Sequence, residues 1–275
     1  MRQAMRWGLL PLLACGLAIG GPDWDEGEGG GGDAGRLPAT AEIVTGTGSG
    51  VLVINGRLDG PGSLRGSVGD FQDLYLIRIL DPLKFRATTL VDFDGFAEFD
   101  AQIFLFQPDG LQAFALLANQ DAAPGQTDPL LLPFATDNTT AMISSPGLYY
   151  LGITGAGSVP LSSGGPMFNF ETSTEVSGPD GQGAFGELID WTEPGEFGEY
   201  RIGLQGVVSI PPEEFSCDPA DVGQPFQVHD MTDVIVFLNA FNNGQALIAD
   251  LAPPFGSLDF SDVMAFLLEF ADGCP

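Results

Sequence analysis

Leu74-Tyr75-Leu76-Ile77-Arg78-Ile79 is apolar but for one Arg, and Asp81-Pro82 follows it. A short run of aliphatic and aromatic residues closed by a turn signal reads as a β-strand. The same signature recurs outward in both directions. Val51-Leu52-Val53-Ile54 stops at Asn55-Gly56, and Ile103-Phe104-Leu105-Phe106 stops at Pro108-Asp109-Gly110. Leu148-Tyr149-Tyr150-Leu151-Gly152-Ile153 is followed by Gly155, and Tyr200-Arg201-Ile202-Gly203-Leu204 by Gly206. From residue 46 to 208 no stretch keeps a 3.6-residue period. Strands without intervening helices predict antiparallel sheets packed as a sandwich or jelly roll.

Residues 155–198 are irregular and rich in Gly and Pro, which reads as a long insertion between strands. Met167, Phe168, Phe170, Phe185, Ile189 and Trp191 are expected to fold it back onto the body. The other reading is a ligand surface, with Trp191 meeting a polysaccharide or similar polymer. Two acidic groups stand out: Asp92, Asp94, Glu98 and Asp100, and Asp23, Asp25, Glu26, Glu28 and Asp33. Carboxylates converging from flexible loops suit Ca²⁺, and solvated turns account for the same residues without a metal.

Gly32-Asp33-Ala34-Gly35, Pro38-Ala39-Thr40-Ala41, the Asp70–Asp73 stretch before Tyr75, Phe99-Asp100-Ala101-Gln102-Ile103-Phe104-Leu105-Phe106 and Gly147-Leu148-Tyr149-Tyr150-Leu151 occur in this order. As an ordered set they resemble the bacterial pre-peptidase C-terminal (PPC) domain, over residues 21–209. The resemblance implies a non-catalytic β-sandwich of an exported protein, in a family some of whose members bind Ca²⁺ or matrix polymers. The long insertion departs from the family pattern.

After Pro211-Pro212, residues 210–216 read as a linker and 217–275 as a separate module. Residues 220–244 align without gaps on 249–273, with 11 identities in 25 positions. That density marks an internal duplication. In each copy a loop leads into a helix whose apolar residues fall at i, i+3, i+4 and i+7: Val234, Phe237, Leu238 and Phe241, then Val263, Phe266, Leu267 and Phe270. Gly244 and Gly273 close the helices. One such stripe cannot bury itself, so the copies are expected to pack on each other, with exposed members left for a partner.

The duplication, the terminal Gly273-Cys274-Pro275 and the run Ala249-Asp250-Leu251-Ala252-Pro253-Pro254-Phe255-Gly256 resemble a GC-type dockerin. That resemblance implies attachment to a cohesin-like or cell-surface protein partner, and calcium in the loops. Asp221, Asp230 and Asp233, with Asp250, Asp259 and Asp262, are the candidate ligands. The pattern departs from a calcium loop: Ala252 and Pro254 occupy positions where the motif needs side-chain oxygens, and Asp262 falls one place late. Asp230/Asp233 and Asp259/Asp262 read equally well as helix caps, so degenerate calcium loops and plain capping both stand.

Arg2 and Arg6 ahead of the apolar stretch 7–20 read as an export signal, residues 1–20, too short to span a bilayer. Cleavage after Gly20 competes with lipidation at Cys15, which follows Leu12-Leu13-Ala14. Either reading removes Cys15 from the folded part and leaves Cys217 and Cys274 as a pair in an oxidising compartment, bridged or as two thiols. The expected location is extracellular or at the cell surface.

The net charge of −28, from 37 acidic and 9 basic side chains, excludes a phosphate-neutralising face and therefore nucleic acid. One His, His229, leaves no set of imidazoles for a zinc hydrolase, and a loop His is its expected role. No catalytic constellation emerges, so the expectation is a protein that is not an enzyme.

Overall fold

A computed structural model describes residues 23–26, 33–61, 69–109, 112–192, 194–211, 217–223, 229–244, 246–253 and 255–274. The signal segment with Cys15, Glu28, Gly110, most of the linker, Pro225, Phe226 and Pro254 lie outside them.

The strands are β1 (Asp23–Asp25), β2 (Glu42–Ile43), β3 (Val53–Leu58), β4 (Gln72–Ile79), β5 (Arg86–Thr88), β6 (Phe96–Ala97), β7 (Ala101–Asp109), β8 (Gln112–Asn119), β9 (Leu130–Leu131), β10 (Gly147–Gly155), β11 (Pro160–Ser162), β12 (Gly165–Pro166), β13 (Asp190–Trp191), β14 (Gly198–Gln205) and β15 (Val207–Val208). One sheet runs β1-β3-β14-β5-β9, with β6 beside β14; a second runs β15-β4-β10-β7-β8, with β2 beside β4. The chain is β-rich, and its sheets are mixed. The long pairs are antiparallel, whereas β1 joins β3 and β2 joins β4 in parallel.

The second sheet is buried on both faces, which explains why its strands read as continuous apolar runs. Tyr75, Ile77, Ile79, Ile103, Leu105, Tyr149, Leu151 and Ile153 point into one buried cluster, which Ile54, Leu58, Tyr200, Ile202 and Leu204 of the first sheet share. Their neighbours Leu74, Leu76, Phe104, Phe106 and Tyr150 point the other way, into a second cluster with Met167, Phe168, Leu188 and Trp191. The insertion 155–198 therefore covers the outer face of the second sheet. It also shields the edge strand β8, where the N–H of Leu188 donates to the carbonyl of Ala113 and Ala118 exchanges two bonds with Ser177.

The first sheet alternates cleanly, as a sheet with one wet face should. Tyr200, Ile202 and Leu204 point inward, while Arg201 reaches Asp23 at 2.8 Å and Arg57 reaches Glu199 at 3.3 Å on the exposed face.

One expectation is overturned, and one strand was not anticipated. Asn55-Gly56 is no turn: β3 runs through it to Leu58. A Cβ at position 56 would collide with the hydroxyls of Tyr200 and Tyr75, so the glycine serves close packing. β8, Gln112-Ala113-Phe114-Ala115-Leu116-Leu117-Ala118-Asn119, is a full strand that its Ala content hid.

The C-terminal part holds α1 (Met231–Asn242), a short α2 (Ala246–Ala249) and α3 (Phe260–Asp272). Its core is built from equivalent positions of the repeat. Phe237 stacks on Phe266 with centroids 4.1 Å apart and planes 12° from parallel, and the equivalent Ala220 and Ala249 are both buried. No helix among the described residues is long and apolar enough to cross a membrane.

Candidate functional site

In the β-rich part, chemistry gathers where β1, β3, β4 and β14 meet. Trp24 is buried edge-on against Tyr75, with centroids 5.7 Å apart, and this anchors the acidic stretch on either side of it. Glu26 accepts from the backbone N–H of Ala34 at 2.9 Å and of Arg57 at 3.0 Å. Its charge reaches Asp70 and Asp73 on the approach to β4, as does that of Asp33. Tyr200 donates to Asp73 and also bonds to Tyr75.

This is an electrostatically costly place. Asp73 is fully buried, and burial, then the charges of Glu26 and Asp70, push its pKa well above the ordinary carboxylate range. Burial and the repulsion of Asp33 push Asp70 up to about 7. Among the described residues no Lys or Arg side chain is bonded to either group, and one oxygen of each, Oδ2 of Asp70 and Oδ1 of Asp73, is buried without a hydrogen bond. Two such carboxyls are relieved by a shared proton or by a hard cation, and an all-oxygen donor set fits Ca²⁺.

The sequence reading singled out both halves of this cluster without joining them. Glu26 and Asp33 belonged to the N-terminal acidic group, and Asp70 and Asp73 to the stretch ahead of Tyr75. The rest of the first group does other work: Asp23 pairs with Arg201, and Asp25 accepts from Asn55 at 2.7 Å. The second group disperses. Glu98 accepts from the N–H of Glu199 at 3.0 Å, while Asp100 faces Asp121, Glu196 and Asp128.

In the helical part the duplicated carboxylates hold the backbone. Asp233 accepts from the N–H of Gly223 and of Asp230, both at 2.8 Å; its equivalent Asp262 accepts from Ala252 at 2.9 Å and Asp259 at 2.8 Å. Asp230 and Asp259 cap their helices through the N–H of Thr232 and Ser261, at 2.6 and 2.7 Å. Each copy is thus a complete capping box, with both oxygens of the inner Asp occupied by amide protons. Those protons hold Asp262 below the ordinary carboxylate range. Asp221 accepts from the N–H of Cys217 at 2.7 Å, and Asp250 from that of Gly256.

The apolar stripes divide. Phe237 and Phe266 are core, with Val234, Phe241, Val263 and Phe270 packed around them, and only Leu238 and Leu267 of the expected contact residues lie on the surface. Sequence periodicity missed the outward neighbours. Met231/Phe260 and Ile235/Met264 are equivalent pairs of the repeat, and all four are exposed beside Leu238/Leu267. Comparing exposed apolar positions between the two copies would have found them.

The sulfurs of Cys217 and Cys274 meet in bonding contact, their Cα atoms 5.6 Å apart. His229 lies beside them. Burial opposes its charge, but the carbonyl of Phe270 and the carboxylate of Asp218 outweigh that and raise its pKa.

Trp191 is buried and its indole N–H donates to the carbonyl of Arg36 at 2.7 Å, so it faces the interior. An open apolar cavity of about 560 Å³ lies elsewhere, lined by Leu80, Leu83, Phe134 and Met142 among others. No family model, curated protein or solved structure matches the chain.

Proposed function

We propose that the chain is an exported, non-catalytic β-sandwich protein held at a cell surface or in a matrix by its dockerin-like C-terminal module, residues 217–275. The module would dock a cohesin-like or cell-surface protein. Two sheets sharing one buried cluster support the sandwich. The observation that carries the docking role is the face that the duplication repeats on the outside. Met231, Ile235 and Leu238 are 69%, 53% and 53% exposed; Phe260, Met264 and Leu267 are 73%, 42% and 49% exposed. Solvent-facing apolar residues at i, i+4 and i+7, present twice, serve nothing in the module's own core. They form the kind of helix face that partner grooves accept.

Charge narrows the partner. No Lys or Arg follows Arg201, while 11 acidic residues do, so the stretch that carries that face has a net negative charge. A basic or calcium-bridged partner surface fits it, and such an association weakens with salt.

Calcium belongs in this reading at the Glu26, Asp33, Asp70 and Asp73 cluster, as a stabiliser of the β-rich part. These carboxylates are more widely spread than a closed cage, so an ion there would draw them together. The capping boxes account for the inner aspartates of the repeat without a metal.

The test of attachment is removal of residues 217–275. The remaining chain should stay folded and be released to the medium in place of being retained at the surface. Surface retention equal to that of the full chain would reject the reading.

A further inference from the structure

Four residues of the helical part have no counterpart in the repeat. One period after Cys217, Asp218 and His229 stand Ala246, Leu247 and Leu258; one period before Cys274 stands Gln245. The second loop-helix copy lacks counterparts of the first three and the first copy lacks a counterpart of Cys274, so the loop-helix pattern itself does not require them. All four nonetheless meet: a donor atom from each lies within 4.8 Å of the others, and among the described residues this is the one group of His, Cys, Asp and Glu side chains that closes so tightly.

The imidazole is set as a ligand would be. His229 Nδ1 lies 3.0 Å from the carbonyl of Phe270, which can only accept, so Nδ1 keeps a proton; Nε2 faces the Asp218 carboxylate, also only an acceptor, and holds a second proton that a metal ion would displace. The ring stacks on Phe270, with planes 9° from parallel and centroids 5.2 Å apart. Nε2 is thereby aimed inward, 3.0 Å from a carboxylate oxygen of Asp218 and 3.8 Å from Cys217 Sγ; that sulfur is 3.8 Å from the other Asp218 oxygen. A tetrahedral centre with bonds of about 2.0–2.3 Å spaces its donors by roughly 3.3–3.8 Å. Two sulfurs, an imidazole and one carboxylate are the donors of a borderline-soft ion, and sulfur excludes calcium as the match. His229 has its outer-shell partner in Phe270, the arrangement that fixes tautomer and ring orientation at metal centres.

We propose that Cys217, Asp218, His229 and Cys274 form a thiol-dependent site for a zinc-class divalent cation, closed while the two sulfurs are bonded to each other and open when they are reduced. A dithiol supplies the two electrons and two protons. It leaves as its own disulfide, and the S–S bond becomes two thiols. Binding of the cation then releases both thiol protons and the Nε2 proton to solvent, and the two thiolates, Nε2 and the carboxylate take the four positions. The site joins the segment that follows α3 to the start of the module, so reduction in the presence of metal exchanges one closure of the module for another.

The full chain, reduced with a water-soluble phosphine, which takes up one water oxygen as its oxide, is titrated with Co²⁺ as the spectroscopic probe. One equivalent should give thiolate-to-cobalt charge-transfer absorption with the strong visible bands of a tetrahedral ion, and Zn²⁺ should abolish both. The oxidised chain should give neither. His229→Ala and Asp218→Asn should weaken Co²⁺ binding about tenfold or more. Both variants, kept oxidised, should melt as cooperative folded proteins, which separates lost ligation from lost folding. No tetrahedral cobalt spectrum in the reduced wild-type chain, or one of unchanged affinity in His229→Ala, would overturn the proposal.

Discussion

Asp73 concentrates the unusual electrostatics of the β-rich part. It is buried beside Asp70, within reach of Glu26 and Asp33, and bonded to a tyrosine hydroxyl. The consequence for stability has a definite sign. Folded Asp70 keeps its proton to about pH 7, whereas the unfolded chain loses it near 3.8. The folded state therefore binds the extra proton between those values, and stability present below pH 3.8 is lost as pH rises through 7. In chelator, the melting temperature should fall from pH 4 to pH 7.5, and Asp70→Asn should flatten that slope. Millimolar Ca²⁺ should restore the wild-type melting temperature at pH 7.5 and leave Asp73→Asn unmoved; a wild-type curve insensitive to calcium would remove the ion from this cluster. Gly56 is the steric counterpart. Gly56→Ala forces the Tyr200 and Tyr75 hydroxyls apart and should cost about 1–3 kcal/mol in denaturant unfolding.

The elements differ in how plainly the sequence announces them. The runs at 74–79, 103–106 and 148–153 are strands because aliphatic and aromatic residues fill both faces of a doubly covered sheet. β8 escaped because its small residues satisfy a close approach of the insertion rather than a strand propensity. Asn55-Gly56 looked like a turn because local chemistry cannot show a tyrosine arriving from residue 200. The two helices were legible from the duplication itself, since Phe237 and Phe266 must cover each other. The acid cluster was only half legible: its members stand about forty residues apart, and only the pairing of β1 with β3 and the burial of Trp24 bring them together. At this scale the capping boxes make a clear prediction. Asp259→Ala should lower the unfolding free energy of the helical part by about 1 kcal/mol. Met231→Ser, on the exposed face, should leave it within about 0.5 kcal/mol. Far-ultraviolet circular dichroism through the melt of the full chain, followed for both variants, separates a cap from a surface residue.

Across the whole molecule, the acidity and the exposed helix face belong to one account. A net charge of −28 gives the chain a self-repulsion that opposes association through its exposed Leu, Phe and Met side chains, and the proposed docking role makes the repeated apolar face of the module the place where a partner surface approaches closely. Raising ionic strength should weaken association with a basic or calcium-bridged partner, and a salt-insensitive interaction would contradict that part of the account. The central claim is that the β-rich part is held in place by the repeated outer face of the helical module. Its most direct measurement is the surface-retained fraction of Leu238→Asp/Leu267→Asp in the cells that produce the chain, with folding checked by the unchanged melt of the purified variant. The account predicts that the folded variant is found mainly in the medium; a variant retained at the surface as fully as the wild-type chain would contradict it.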